Sequence, residues 1–100
     1  MSIHASPPGH LRPETKRWWR RIVAEYQLEQ HHLKLLQLAA ESWDRSNEAR
    51  ELLATQGLTF LDDRRNVRAN PLILVEKDAK SLFMRALAAL HLDVEPPVGC

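Results

Sequence analysis

Scarcity marks this chain before abundance does. Its one cysteine, Cys100, can form no internal disulfide and no thiolate zinc cage. Its three glycines, Gly9, Gly57 and Gly99, stand far apart, which excludes a glycine-rich phosphate cradle. Apolar runs such as Leu72 to Val75 fall far short of the roughly 20 residues that span a bilayer. The first residues lack the apolar core of a secretory signal, so the expected address is cytoplasmic. β-Branched residues are also few: Val, Ile and Thr total 11, against 27 for Leu and Ala. That balance favours helix, where Leu and Ala lose little rotamer freedom.

With 44% hydrophobic and 27% charged residues, the 100-residue chain has the composition of one small globular domain. Its net charge of +1 conceals a segregation. Residues 1–24 sum to +4, residues 25–63 to −5, residues 64–70 to +3 and residues 71–100 to −1.

The pattern predicts a mainly α fold with three helices, at about 13–27, 31–56 and 71–90, and a short β-hairpin or arm at about 58–69. Residues 1–11, rich in Pro, Gly and His, read as a flexible tail or strap. Residues 12–92 form the single helical domain, and 93–100 an acidic, Pro-broken tail that includes Cys100.

Helix one opens on Pro13, which needs no N–H partner at the first turn, and Glu14 suits the helix dipole. Arg12 before it has no acceptor with which to cap. Trp18, Trp19, Ile22, Val23 and Tyr26 make one apolar stripe, with Lys16, Arg17, Arg20 and Arg21 on the other face. Helix two carries Leu33, Leu36, Ala40, Trp43, Asn47 and Ala54 inward, widened by Leu35, Ala39 and Leu53. At roughly 38 Å it outruns its neighbours, as helices with a partner chain do. Gly57 is expected to close it in the left-handed conformation. Asn70–Pro71 is a cap and first turn for helix three, which aligns Leu72, Val75, Ala79, Leu82, Phe83, Ala86, Leu87 and Leu90.

No catalytic constellation emerges. Ser42, Ser46 and Ser81 lie mid-helix without a nucleophile elbow, and Asp62–Asp63 is the kind of acid pair that polar turns solvate. His31 and His32 are adjacent, so their side chains point about 100° apart and do not converge on one metal ion. No catalytic residue, metal or cofactor is expected.

The basic clusters carry more information. Arg12, Lys16, Arg17, Arg20 and Arg21 on helix one, with Arg64, Arg65 and Arg68 on the hairpin, amount to seven arginines and one lysine. The guanidinium fork suits phosphate. A few contacts per chain bind weakly, and a symmetric oligomer multiplies them. Trp18, Trp43 and Phe83 fall on inner stripes, which argues against base stacking on a single strand.

The order of features resembles the phage terminase small subunit family over about residues 7–97. The resemblance lies in Pro7–Pro8–Gly9–His10–Leu11, Pro13–Glu14 and Trp18–Trp19, then in Ala39–Ala40–Glu41–Ser42–Trp43–Asp44. It continues through Gly57–Leu58–Thr59, Arg68–Ala69–Asn70–Pro71, Leu90–His91–Leu92–Asp93 and Pro96–Pro97. Two positions depart from the family pattern: Arg12 stands where a small capping residue is common, and His91 where glycine commonly ends the last helix. The resemblance implies a non-enzymatic subunit in the host cytoplasm that forms a homo-oligomeric ring and binds double-stranded viral DNA. It implies delivery of that DNA to the large terminase subunit, which holds the ATPase and nuclease. Two other readings of the residues remain open. One is a helical dimeric transcriptional regulator or protein–protein adaptor; the other is a metal-dependent nuclease built on His31, His32, Asp62 and Asp63.

Overall fold

The computed structural model of the protein describes residues 5–92 and 94–97, so Cys100 lies outside the described residues. The elements are α1 (Pro13–Glu25), α2 (Gln30–Gln56), β1 (Thr59–Leu61), β2 (Val67–Ala69) and α3 (Leu72–Leu90). The fold is mainly α, with an antiparallel hairpin between the second and third helices, as the sequence predicts.

The element ends depart from expectation for identifiable reasons. α1 stops at Glu25, two residues early, because Tyr26 turns extended (φ −122°, ψ 145°) and packs with Leu28 against the core. α2 starts at Gln30, where the Glu29 amide donates to His32 Nδ1 at 3.1 Å. The His31 and His32 rings lie 4.0 Å apart, centroid to centroid, tilted by 44° to each other. Gly57 does end α2, but with φ 89° and ψ 165° it takes an extended positive-φ conformation and not the expected left-handed helical one. That geometry still favours glycine, and it sends the chain directly into β1. α3 begins one residue late at Leu72, whose amide donates to Asn70 Oδ1 at 3.0 Å. It closes on His91 in the left-handed conformation (φ 57°, ψ 33°).

Asn70 also joins the ends of two helices. Its Nδ2 donates to the Gly57 carbonyl at 3.0 Å and to Gln56 Oε1 at 3.2 Å. α2 and α3 are therefore fastened at this end and run antiparallel. Small residues on α2 (Ala39, Ser42, Ser46, Ala49) are buried and let helices approach closely.

The core gathers where α1 lies on the α2/α3 pair. Trp18, Trp19, Ile22 and Val23 meet Leu36, Ala39 and Ala40 of α2, and Phe83, Ala86, Leu87 and Leu90 of α3. Phe83 stands 4.9 Å from Trp43 and 6.0 Å from Trp18, centroid to centroid. Towards the hairpin the core thins. Ala49, Leu53 and Ala79 are buried there, whereas Ala54 and Val75, assigned to inner stripes from the sequence, are exposed. The result is a rod of 59 × 23 × 19 Å, thick at the aromatic end and a two-helix stalk at the other.

Truncating Phe83 would leave a cavity bordered by two indoles. Phe83→Ala is expected to destabilise the fold by about 3–5 kcal/mol, read from the midpoint of urea unfolding.

Candidate nucleic-acid interface

α1 has no cap of its own, and α2 supplies one. The Arg12 amide donates to Asp44 Oδ2 at 2.9 Å, and the buried Thr15 hydroxyl donates to Asp44 Oδ1 at 2.5 Å. A carboxylate at a helix N-terminus satisfies free N–H groups and complements the dipole, and here it comes from another helix. The Arg12 side chain forks onto Glu51, 2.7 Å to Oε2 and 3.0 Å to Oε1, while His10 Nε2 lies 2.8 Å from Glu41 Oε2. Glu41, Asp44, Glu48 and Glu51 are spaced by three and four residues, so they share one face of α2.

These contacts shift the acids. The hydrogen bond from Arg12 holds the Glu51 carboxyl below its ordinary range and pushes the Arg12 guanidinium up. Hydrogen bonds from Gln37 and then His10 lower Glu41. A cleft of about 370 Å³ among His10, Arg12, Glu41, Asp44, Arg45 and Glu48 is thus an inter-helix seam of charged groups.

With that seam fixed, the other side of α1 faces water. Arg17, Arg20 and Arg21 are exposed and Lys16 is half-buried. None of the four forms an ion pair among the described residues. Behind them Trp18 and Trp19 are 2% and 3% exposed. Trp18 Nε1 donates to the Glu95 carbonyl at 2.8 Å, and Trp19 Nε1 to the Ala5 carbonyl at 2.9 Å. The two indoles therefore hold the segments at both ends of the chain, where Leu11 and Pro97 are also buried.

At the hairpin, Asp62 organises the loop. It accepts the Arg64 and Asn66 amides at 2.9 Å each, and Arg68 Nε at 2.9 Å. These bonds, Arg68 foremost, lower the Asp62 carboxyl. Arg64 and Arg65 project without an ion-pair partner among the described residues. The eight basic residues singled out from the sequence therefore divide. Arg17, Arg20 and Arg21 form an open ridge beside Lys16, Arg64 and Arg65 form an open tip, and Arg12 and Arg68 are engaged by carboxylates. Among the described residues no group of three or more His, Cys, Asp or Glu could hold a metal ion.

Sequence reasoning missed Asp44, Glu51 and Thr15. The acids' 3–4–3 spacing opposite a basic, uncapped helix was the available signal, with a threonine standing in an otherwise apolar face.

A family model described as phage terminase, small subunit, matches residues 15–95. The chain belongs to the phage terminase small subunit family. The match runs from Thr15, clasped by Asp44, to Glu95, whose carbonyl Trp18 holds, so it spans nearly all of α1, the long hairpin of helices and the C-terminal strap. No curated protein and no solved structure matches the chain. Membership supports a part for this small subunit in phage DNA packaging, within the infected host. Among the described residues no helix is long and apolar enough to cross a membrane.

Two measurements check the seam. Asp44→Ala removes a cap and strands the Thr15 hydroxyl, with an expected loss of about 2–3 kcal/mol in urea unfolding. Glu41, Glu51 and Asp62 have lowered folded pKa values, so their stabilisation is full above the ordinary carboxylate pKa and is lost as pH falls through the folded values. The melting temperature should fall on acidification, and Glu51→Gln should make that fall shallower.

Proposed function

We propose that this small subunit is a non-catalytic, ring-forming protein that recognises double-stranded viral DNA and delivers it to the large terminase subunit in the host cytoplasm. The observation that carries the reading is the ridge of Arg17, Arg20 and Arg21. Three guanidinium groups stand on the solvent face of a helix whose opposite face is locked by two buried indoles and a borrowed cap. Residues three and four apart on a helix are neighbours, so the ridge offers adjacent donors to a line of phosphates.

Lys16 stands beside this ridge, with Arg64 and Arg65 as a second set. Arg12 and Arg68 rank behind them, because each would have to leave a carboxylate to reach DNA. Phosphate contacts position the duplex and do not read its sequence. A few per chain give weak, salt-sensitive binding, and several copies acting together raise it to a useful strength. ATP hydrolysis and DNA cleavage belong, in this reading, to the large subunit.

The test is a salt titration of duplex binding with the double variant Arg17→Ala, Arg20→Ala. Affinity at low ionic strength should fall at least about tenfold. The slope of log K against log salt should flatten by about 0.9 for each phosphate the variant no longer neutralises, with helical circular dichroism unchanged. An unchanged slope and affinity would remove α1 from the DNA face.

A further inference from the structure

The hairpin carries a strained arginine at its tip. The Asp62 amide donates to the Asn66 carbonyl at 3.0 Å, so Asp63, Arg64 and Arg65 form the loop, and the Arg65 amide closes a turn on the Asp62 carbonyl at 2.9 Å. Three-residue hairpin loops commonly end on a residue with positive φ, a conformation that glycine takes without strain. Here that position holds Arg65, with φ 63°. Its side chain is exposed and forms no ion pair among the described residues. Asp62 meanwhile stiffens the loop, accepting the Arg64 and Asn66 amides and Arg68 Nε at 2.9 Å each. A residue kept in a costly backbone conformation, with a charge the fold does not use, points to a partner.

The chemistry of the ribbon decides where such a tip fits on a duplex. A two-stranded ribbon can lie in the major groove, but bases are read there by donors and acceptors on the ribbon's face. This ribbon offers few. One face carries Thr59, Leu61, Val67 and Ala69, and the other carries Phe60 opposite Arg68, which Asp62 holds. The open guanidinium groups stand at the loop. The minor groove, about 6 Å wide, is too narrow for two strands but admits an arginine side chain. Its negative potential is strongest where A·T-rich sequence narrows it, and that potential attracts arginine. Leu61, 63% exposed, and Val67, 71% exposed, lie opposite each other at the foot of the loop and offer an apolar surface to the groove's rim. We propose that Arg65 is a sequence-selecting residue: it enters the minor groove of duplex DNA, beside Arg64 on the flanking phosphates, and favours narrow, A·T-rich sites. Asp63 offsets one of the two charges, so the hairpin contributes choice of site more than affinity, which stays with the α1 ridge.

The inference rests on the duplex binding in the proposed function, and the experiment separates the two. Binding of the wild-type chain is measured to three duplexes of equal length: one with a central A-tract, one of G·C pairs only, and one with I·C pairs in place of the A-tract. Inosine lacks the guanine amino group, so an I·C pair shows the minor-groove face of A·T and a major-groove face like that of G·C. The A-tract and I·C duplexes should bind alike, each about tenfold more tightly than the G·C duplex. Arg65→Gly relieves the backbone, so its urea midpoint should equal or exceed that of the wild type, while its three affinities converge to within about twofold. The double variant Arg17→Ala, Arg20→Ala should lower all three affinities together and keep their ratio. Equal wild-type affinities, or a preference that survives in Arg65→Gly, would overturn the minor-groove role while duplex binding stands. An I·C duplex bound like the G·C duplex would move the reading to the major groove and overturn it too. A wild-type chain that binds none of the three would remove duplex binding and this inference together.

Discussion

Burial of Trp18 and Trp19 side by side is the constraint from which the rest of α1 follows. Each indole has a large apolar body that favours the interior and one N–H that must find an acceptor there. Adjacent residues on a helix diverge, so the two rings sit on neighbouring flanks and reach different acceptors, the Glu95 and Ala5 carbonyls. Between them they draw in both terminal segments and fix the rotation of the helix about its axis. With that rotation fixed, Arg17, Arg20 and Arg21 have one direction left to them, which is outward.

Position along the axis is set separately. An arginine in the cap position leaves the first amides of α1 unsatisfied, and Asp44 satisfies the Arg12 amide only when α1 lies against the middle of α2. Capping is normally a local matter, worth about 1 kcal/mol wherever the helix sits. Supplied from another helix, it makes secondary structure and docking one event. The Glu51 fork on Arg12 adds little free energy, because the pair is substantially exposed, but it gives the guanidinium a defined direction.

How much of this could be read in the sequence depended on whether the cause was local. Helical periodicity found all three helices and capping chemistry found Asn70, since these follow from residues within one turn. The hairpin at about 58–69 was legible for the same reason. The early end of α1 was not legible, because Tyr26 and Leu28 leave the helix to reach a core assembled from distant residues. The extended conformation of Gly57 was missed because any positive φ admits glycine, and only the path into β1 chooses between the two regions. Both basic clusters were legible but their division was not, since an ion pair across 39 residues, Arg12 with Glu51, has no local signature. That division bears on the proposed function: ridge and tip are open, Arg12 and Arg68 are not.

Near-neutral net charge is compatible with a basic working surface because the acids are used differently from the bases. Glu41, Asp44, Glu51 and Asp62 each accept hydrogen bonds from within the chain, three of them along the seam beneath α1. Glu51 and Asp62 are each paired with a guanidinium, Arg12 and Arg68, whereas Asp44 is held by a backbone amide and a hydroxyl. Arg17, Arg20, Arg21, Arg64 and Arg65 have no such partner among the described residues, so their fields reach outward within a Debye length of about 8 Å at physiological salt. Four of the eight acids of residues 25–63 therefore help to hold the fold together, while Glu25, Glu48 and Asp63 stand exposed, and the bases that flank them in sequence are left mostly for contact with something else. Segregation of charge along the sequence thus becomes a division in space: four acids are engaged by the chain's own donors, and Arg17, Arg20, Arg21, Arg64 and Arg65 are open to whatever it meets.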